Sequence, residues 1–243
     1  VAQQVISLSG SKDIYLAVLP RYGSGRDLRL FRAPNQFCSH VMNAFNEGPK
    51  VHIDVPLAKG NMFPFFPDIT GKPFDRDAAA SRMTRWTMDL AKPGDSFEAR
   101  PLGQMVGEFP RIDDRYAMEP YRHGYTCVVD MARKVDTDRV GSITGLFVNC
   151  WGHTDHQTGR EAAYWAGPVS TLQEPCFVPK SKTAAEGEGY LIGLCNRLVE
   201  QRSDLLVLDA QRLAEGPIAT VRLPVRLRNG LHGNWYTNEQ LGI

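Results

Sequence analysis

The chain has 243 residues, long enough for one large domain, and its 28 Lys plus Arg nearly balance 27 Asp plus Glu for a formal charge of +1. That balance gives no electrostatic argument for nucleic acid or an anionic membrane surface, so a small or neutral partner is expected. No run of eighteen apolar residues occurs, which excludes a membrane-spanning helix, and the five scattered cysteines form no C-x-x-C pair and read as reduced thiols of a cytoplasmic protein.

The amino terminus, Val1-Ala2-Gln3-Gln4, has no initiator Met, basic n-region or apolar h-region and reads as a chain entered midway. From there the predicted elements are short β-rich runs at 14–19, 28–31, 51–55, 81–90, 125–131, 143–150, 190–194, 204–209 and 219–223. Many alternate apolar with polar residues, as in Met83-Thr84-Arg85-Trp86-Thr87-Met88, so one face of each is wet. Turn signals punctuate them: Tyr22-Gly23-Ser24-Gly25, Lys92-Pro93-Gly94-Asp95 and Glu186-Gly187-Glu188-Gly189. Residues 189–195 and 203–210 read as a hairpin joined by 196–202. Helical periodicity is scarce and no linker interrupts the pattern, so residues 1–243 are expected to form a single all-β domain, a sandwich, barrel or irregular propeller.

Two histidines and two acids have unusual settings. His40 lies in Phe37-Cys38-Ser39-His40-Val41-Met42-Asn43-Ala44-Phe45-Asn46-Glu47-Gly48, read as a strand, and His232 lies between glycines in Gly230-Leu231-His232-Gly233-Asn234-Trp235. Residue by residue, each reads first as a hydrogen-bonded core histidine, with a metal ligand as the alternative. Glu108, in Gly107-Glu108-Phe109-Pro110-Arg111-Ile112, and Glu174, in Gln173-Glu174-Pro175-Cys176-Phe177-Val178-Pro179, are each either exposed at a strand end or buried with a partner. A ligating histidine's second ring N–H is such a partner. His153-Thr154-Asp155-His156 is expected in an exposed loop, and His52 and His123 are expected to be structural. The aromatic run Asn61-Met62-Phe63-Pro64-Phe65-Phe66-Pro67 either fills a core or packs on a flat aromatic substrate through Phe63.

Taken together, these four segments resemble the carotenoid cleavage oxygenase family, and the run Leu227-Arg228-Asn229-Gly230-Leu231-His232-Gly233-Asn234-Trp235 is most similar to its lignostilbene dioxygenase-like branch. The resemblance covers nearly the whole chain and includes Tyr15-Leu16-Ala17-Val18-Leu19-Pro20. It implies a seven-bladed β-propeller with iron on its axis, of which this chain is roughly the carboxy-terminal half. His40 and His232 match two of the four histidines that hold Fe(II) in that family. Glu108 and Glu174 match two outer acids, implied to orient His40 and His232 respectively. The other two iron histidines have no counterpart in residues 1–39, so a protein about twice this length is expected.

The activity implied is cleavage of the central C=C bond of a 4-hydroxystilbene by O2 as co-substrate, giving two aromatic aldehydes. Carotenoid or apocarotenoid cleavage on the same iron is the alternative enzyme reading, and a non-catalytic propeller binding module is the alternative of another class. The expected partner is a small aromatic alkene, with no nucleic acid and no stable membrane insertion; a homodimer is left open.

Overall fold

The computed structural model describes residues 9–140 and 148–243, and their regular secondary structure is mostly antiparallel strands. They fall into two compact units, Val1–Gln104 with Met118–Pro120, and Met105–Ala117 with Tyr121–Ile243.

In the first unit β1 (Ile14–Val18) pairs with β2 (Arg29–Ala33), and β3 (Asn43–Glu47), β4 (Lys50–Leu57) and β5 (Arg82–Asp89) form a meander. The segment that carries His40 supplies the meander's first turn. Asn43 at the head of β3 accepts from the backbone N–H of Met118 at 3.0 Å and donates to the Glu119 carbonyl at 3.1 Å. Phe45 is buried beneath the Arg85 guanidinium, 4.8 Å from its ring, and Glu47 meets His52 Nε2 at 3.0 Å. Gly48, at φ +58°, supplies the left-handed turn into β4. Most of that motif is therefore architectural. The buried Asp54 carboxylate takes a two-point fork from Arg85, both bonds 2.8 Å, which satisfies an otherwise costly charge.

β6 (Glu98–Arg111) begins in the first unit and ends in the second. There β7 (His123–Val128), β8 (Cys150–Asp155) and β9 (Arg160–Trp165) continue as antiparallel neighbours. The last sheet holds β10 (Ser170–Leu172), β11 (Cys176–Pro179), β12 (Gly189–Arg197), β13 (Arg202–Asp209) and β14 (Pro217–Arg222), with β10 and β11 both on the same edge of β12. Two single-turn α-helices, α1 (Thr137–Val140) and α2 (Asn238–Leu241), and three 3-10 turns, Gly25–Asp27, Asp114–Tyr116 and Leu213–Glu215, complete the described elements. The second unit is built on Tyr125, Trp151, Phe177, Leu191, Leu206 and Leu208, all buried. Burial of these large apolar side chains, each worth about 1.5–3 kcal/mol, is its main source of stability.

The expected β-rich character and the 189–210 hairpin are observed, with the hairpin loop shortened to residues 198–201. The strand expected at 143–150 falls mostly on 141–147, outside the described residues, and β8 starts only at Cys150. His153 and its neighbours are not an exposed loop. They lie on β8, whose six residues are all buried, because β7 and β9 cover its edges and its side chains are enclosed on both faces. Only His156, beyond the strand, enters the turn.

Candidate metal centre

His40 lies not within a strand but in the irregular stretch between the Phe37–Ala58 bridge and β3. It is half-buried, and its position is set from both sides in sequence. Phe37 exchanges both backbone bonds with Ala58 at 2.9 Å, and Met42 N–H donates to Asp54 O at 2.7 Å. Phe63 stands edge-on to Phe37, ring centres 5.5 Å apart, and packs against Phe65 and Phe66. The loop holding it is folded around the Asn61 amide, which donates to the carbonyls of Phe63 (2.9 Å) and Phe66 (2.8 Å). Phe63 thus belongs to an aromatic cluster that begins three residues ahead of His40.

Glu108 sits at a β-bulge. Partners run from Cys127 to Tyr125 on β7 while β6 runs from Glu108 to Arg111, one residue more, and Phe109 takes a positive φ of 52° to fit it. Pro110 lacks the N–H that a regular ladder would use there. A bulge re-aims the side chains on either side of it, a common device beside functional sites.

Glu174 is placed by a second irregularity. β10 ends with Leu172 opposite Cys195 and β11 begins with Cys176 opposite Ile192, so the edge again carries one extra residue. Trp151 Nε1 pins the backbone here, donating to the Gln173 carbonyl at 2.8 Å. Facing it, Gly193 has no room for a side chain: a Cβ there would sit 2.6 Å from the Trp151 ring and 3.2 Å from Pro175 Cα. The Glu174 carboxylate lies against the segment that follows β14.

The segment is held by consecutive side chains. Gln173 accepts from Gly230 N–H at 3.0 Å and donates to Arg228 O at 3.3 Å. Glu174, whose side chain is only 5% exposed, has both oxygens 3.3 Å from His232 Nδ1 and accepts from Gly233 N–H at 2.9 Å. Of the two glycines flanking His232, Gly230 makes the close approach, to the Gln173 amide, whereas Gly233 faces open space. The Phe109 ring meets His232 edge-on at 5.7 Å.

Arg111 Nε lies 3.9 Å from Glu174, a cation the motif contained but whose role went unread in the sequence. Burial opposes the Arg111 charge, yet the Cys176 sulfur with the Glu174 and Asp114 carboxylates outweighs it and holds the pKa above its ordinary value.

With Nδ1 turned to a carboxylate, His232 is in the tautomer that donates from Nδ1 and offers the Nε2 lone pair to a metal. The donor chemistry therefore fits a neutral-imidazole iron site. Among the described residues no group of three or more His, Cys, Asp or Glu gathers as a metal-binding cluster, so the described residues hold no complete ligand set. His40 belongs to the first unit and His232 to the second.

The buried pair of the second unit, His123 and His153, is a different arrangement. Nδ1 of one lies 2.9 Å from Nε2 of the other, and His153 stacks on Tyr125, which stacks on Phe177. Burial and the adjacent His123 push His153 down to about 4, against the opposing pull of Asp155. Both rings are engaged with each other and in packing.

The sequence profile of the family described as retinal pigment epithelial membrane protein matches residues 2–237. Lignostilbene-α,β-dioxygenase isozyme III of Sphingomonas paucimobilis is 50% identical over 95% of this chain and 48% of its own length. The chain belongs to the carotenoid cleavage oxygenase family. Among other members, isoeugenol monooxygenase of Pseudomonas putida is 42% identical over 91% of the chain and 46% of its own length. The crystal structure of Pseudomonas brassicacearum lignostilbene dioxygenase superposes with a TM-score of 0.89 at 38% identity, covering 95% of this chain and 48% of that one. The chain thus shares the fold of carotenoid cleavage oxygenases and spans about half the length of the relatives it matches.

Proposed function

We propose that this chain supplies half of the iron centre of a dioxygenase that cleaves the central double bond of a 4-hydroxystilbene. In this reading the chain is the carboxy-terminal half of one seven-bladed propeller domain with iron on its axis. His40 and His232 are two of its four ligands, and an upstream half brings the other two. The protein is cytoplasmic, its partner is a small aromatic alkene, and neither nucleic acid nor stable membrane insertion is involved. The observation that carries the proposal is the half-identity to a lignostilbene dioxygenase across almost the whole chain, with Glu174 set against His232 Nδ1.

The reaction balances simply. The C=C and O–O bonds break, each former alkene carbon keeps its hydrogen and gains one oxygen atom, and two aldehydes leave. Fe(II), when bound, supplies the spin and redox chemistry that lets O2 react with a closed-shell alkene. The chain's own residues do the rest. Glu174 accepts a hydrogen bond from His232 Nδ1–H, which fixes the ring plane and raises the basicity of Nε2. Glu108 acts likewise on His40. The aromatic cluster around Phe63 gives a flat substrate an apolar surface near the His40 segment, where it is held for reaction in a water-poor site.

A panel of a hydroxystilbene, isoeugenol and β-carotene, each incubated with the full-length protein in air, tests the proposal. Paired aromatic aldehydes from the stilbene are expected to exceed the products of the other two. Cleavage of β-carotene alone would favour the carotenoid reading, cleavage of isoeugenol alone a monomeric phenylpropene substrate. No turnover by a protein without iron would favour a binding module.

A further inference from the structure

Arg111 makes more contacts to the His232 segment than charge balance with Glu174 requires. Its Nε donates to the Pro175 carbonyl at 3.2 Å. Its Nη2 donates to the Gly233 carbonyl, lies 3.0 Å from Cys176 Sγ and reaches Asn234 Oδ1 at 3.4 Å. The Cys176 thiol donates to the same Gly233 carbonyl at 3.2 Å. Gly233 N–H is already taken by Glu174. The residue after His232 is therefore gripped at its N–H by a carboxylate and at its C=O by a guanidinium and a thiol.

That grip matters because Glu174 holds the ring at Nδ1 while the backbone that carries it has no regular structure of its own. Residues 223–237 contain no helix or strand, and the His232 side chain is 57% exposed. An imidazole on irregular backbone keeps rotamer and backbone freedom that metal binding would have to remove. Gly233 adds freedom of its own, having no side chain to pack. We propose that Arg111 is a positioning residue of the iron centre, a latch that locks the backbone of Gly233 and so presets the approach of His232 to the metal. The proposal rests on the reading of His232 as an iron ligand.

The planar fork of arginine is what the role requires. Its Nε and Nη2 serve the Pro175 carbonyl and the Gly233 carbonyl at once, which a lysine ammonium, a single point charge on a flexible stem, cannot reproduce. Charge alone would be satisfied by lysine, and packing alone largely by methionine. Comparing the two therefore separates the latch from both simpler roles.

The test uses the full-length protein as wild type, Arg111→Lys, Arg111→Met and His232→Ala. It reads the rate of iron loss to a chelator and the visible absorption of the cobalt-substituted protein, a direct reporter of ligand geometry. Loss is expected to be about 10- to 100-fold faster in both Arg111 variants, the usual scale for groups behind a ligand, with shifted cobalt bands. If the methionine variant does not fold, the lysine variant decides. Wild-type iron loss and an unshifted cobalt spectrum in Arg111→Lys would overturn the latch. Should His232→Ala also keep its iron and cobalt spectrum, the ligand reading falls with it; if only His232→Ala loses metal, the latch alone is wrong.

Discussion

Both carboxylate oxygens of Glu174 stand 3.3 Å from His232 Nδ1, with Arg111 3.9 Å behind the carboxylate. The acid is buried while the imidazole is more than half exposed, so the rigid member of the pair is the glutamate. Orientation therefore runs from the sheet outward, through Glu174 to the ring.

Replacing Glu174 by Gln keeps the shape of the side chain and removes the charge. The amide oxygen can still accept from Nδ1, but it no longer raises the basicity of Nε2. Iron affinity of the full-length Glu174→Gln protein is expected to drop roughly 10- to 100-fold. Competition with a chelator measures it, and an unchanged affinity would remove Glu174 from the site.

Gly193 controls the same acid from the opposite side of the edge. Gly193→Ala brings a methyl to 2.6 Å of the Trp151 ring and 3.2 Å of Pro175 Cα, so one of the two must move. A loss of about 1–3 kcal/mol is expected from such overpacking. Urea unfolding checks it, with weakened iron retention as the companion effect if Pro175 is what yields.

His153 gives the second unit a pH dependence with a definite sign. Its folded pKa is lowered from 6.5 to about 4 by burial and by His123, with His156 and Arg160 adding to the effect and Asp155 opposing it. The unfolded chain then binds more protons than the native one between those values, so stability rises with pH across that window. It is fully present above pH 6.5 and falls as the pH drops toward 4, by roughly 3 kcal/mol from this residue. Denaturant midpoints between pH 7 and pH 4 should show this slope, and His153→Gln should flatten it. An identical slope in the variant would mean that other groups set the acid limb.

The proposed site residues stand out in the sequence because the chemistry assigned to them needs particular side chains in short runs: His40 before Asn43, Glu108 before Phe109-Pro110, Glu174 before Pro175, and His232 between glycines. Their placement was not legible. A strand read by alternation assumes a regular ladder, and both acids sit where the ladder gains an extra residue. β6 was missed altogether, since Pro101, Gly103, Gly107 and Pro110 all argue locally against a strand. β8 was misread because a strand enclosed on both faces shows no polar alternation, and its His153 and Asp155 look solvated until His123 and Arg122 are brought beside them. The Arg111 contacts join residues 64 or more positions apart, a relationship no local pattern encodes.

The central claim is that His40 and His232 hold one iron. Iron measured per chain in purified full-length protein, wild type beside His40→Ala and His232→Ala, tests it most directly. A single iron in the wild type and its loss in both variants is the result expected; full iron retained by either variant would contradict the claim.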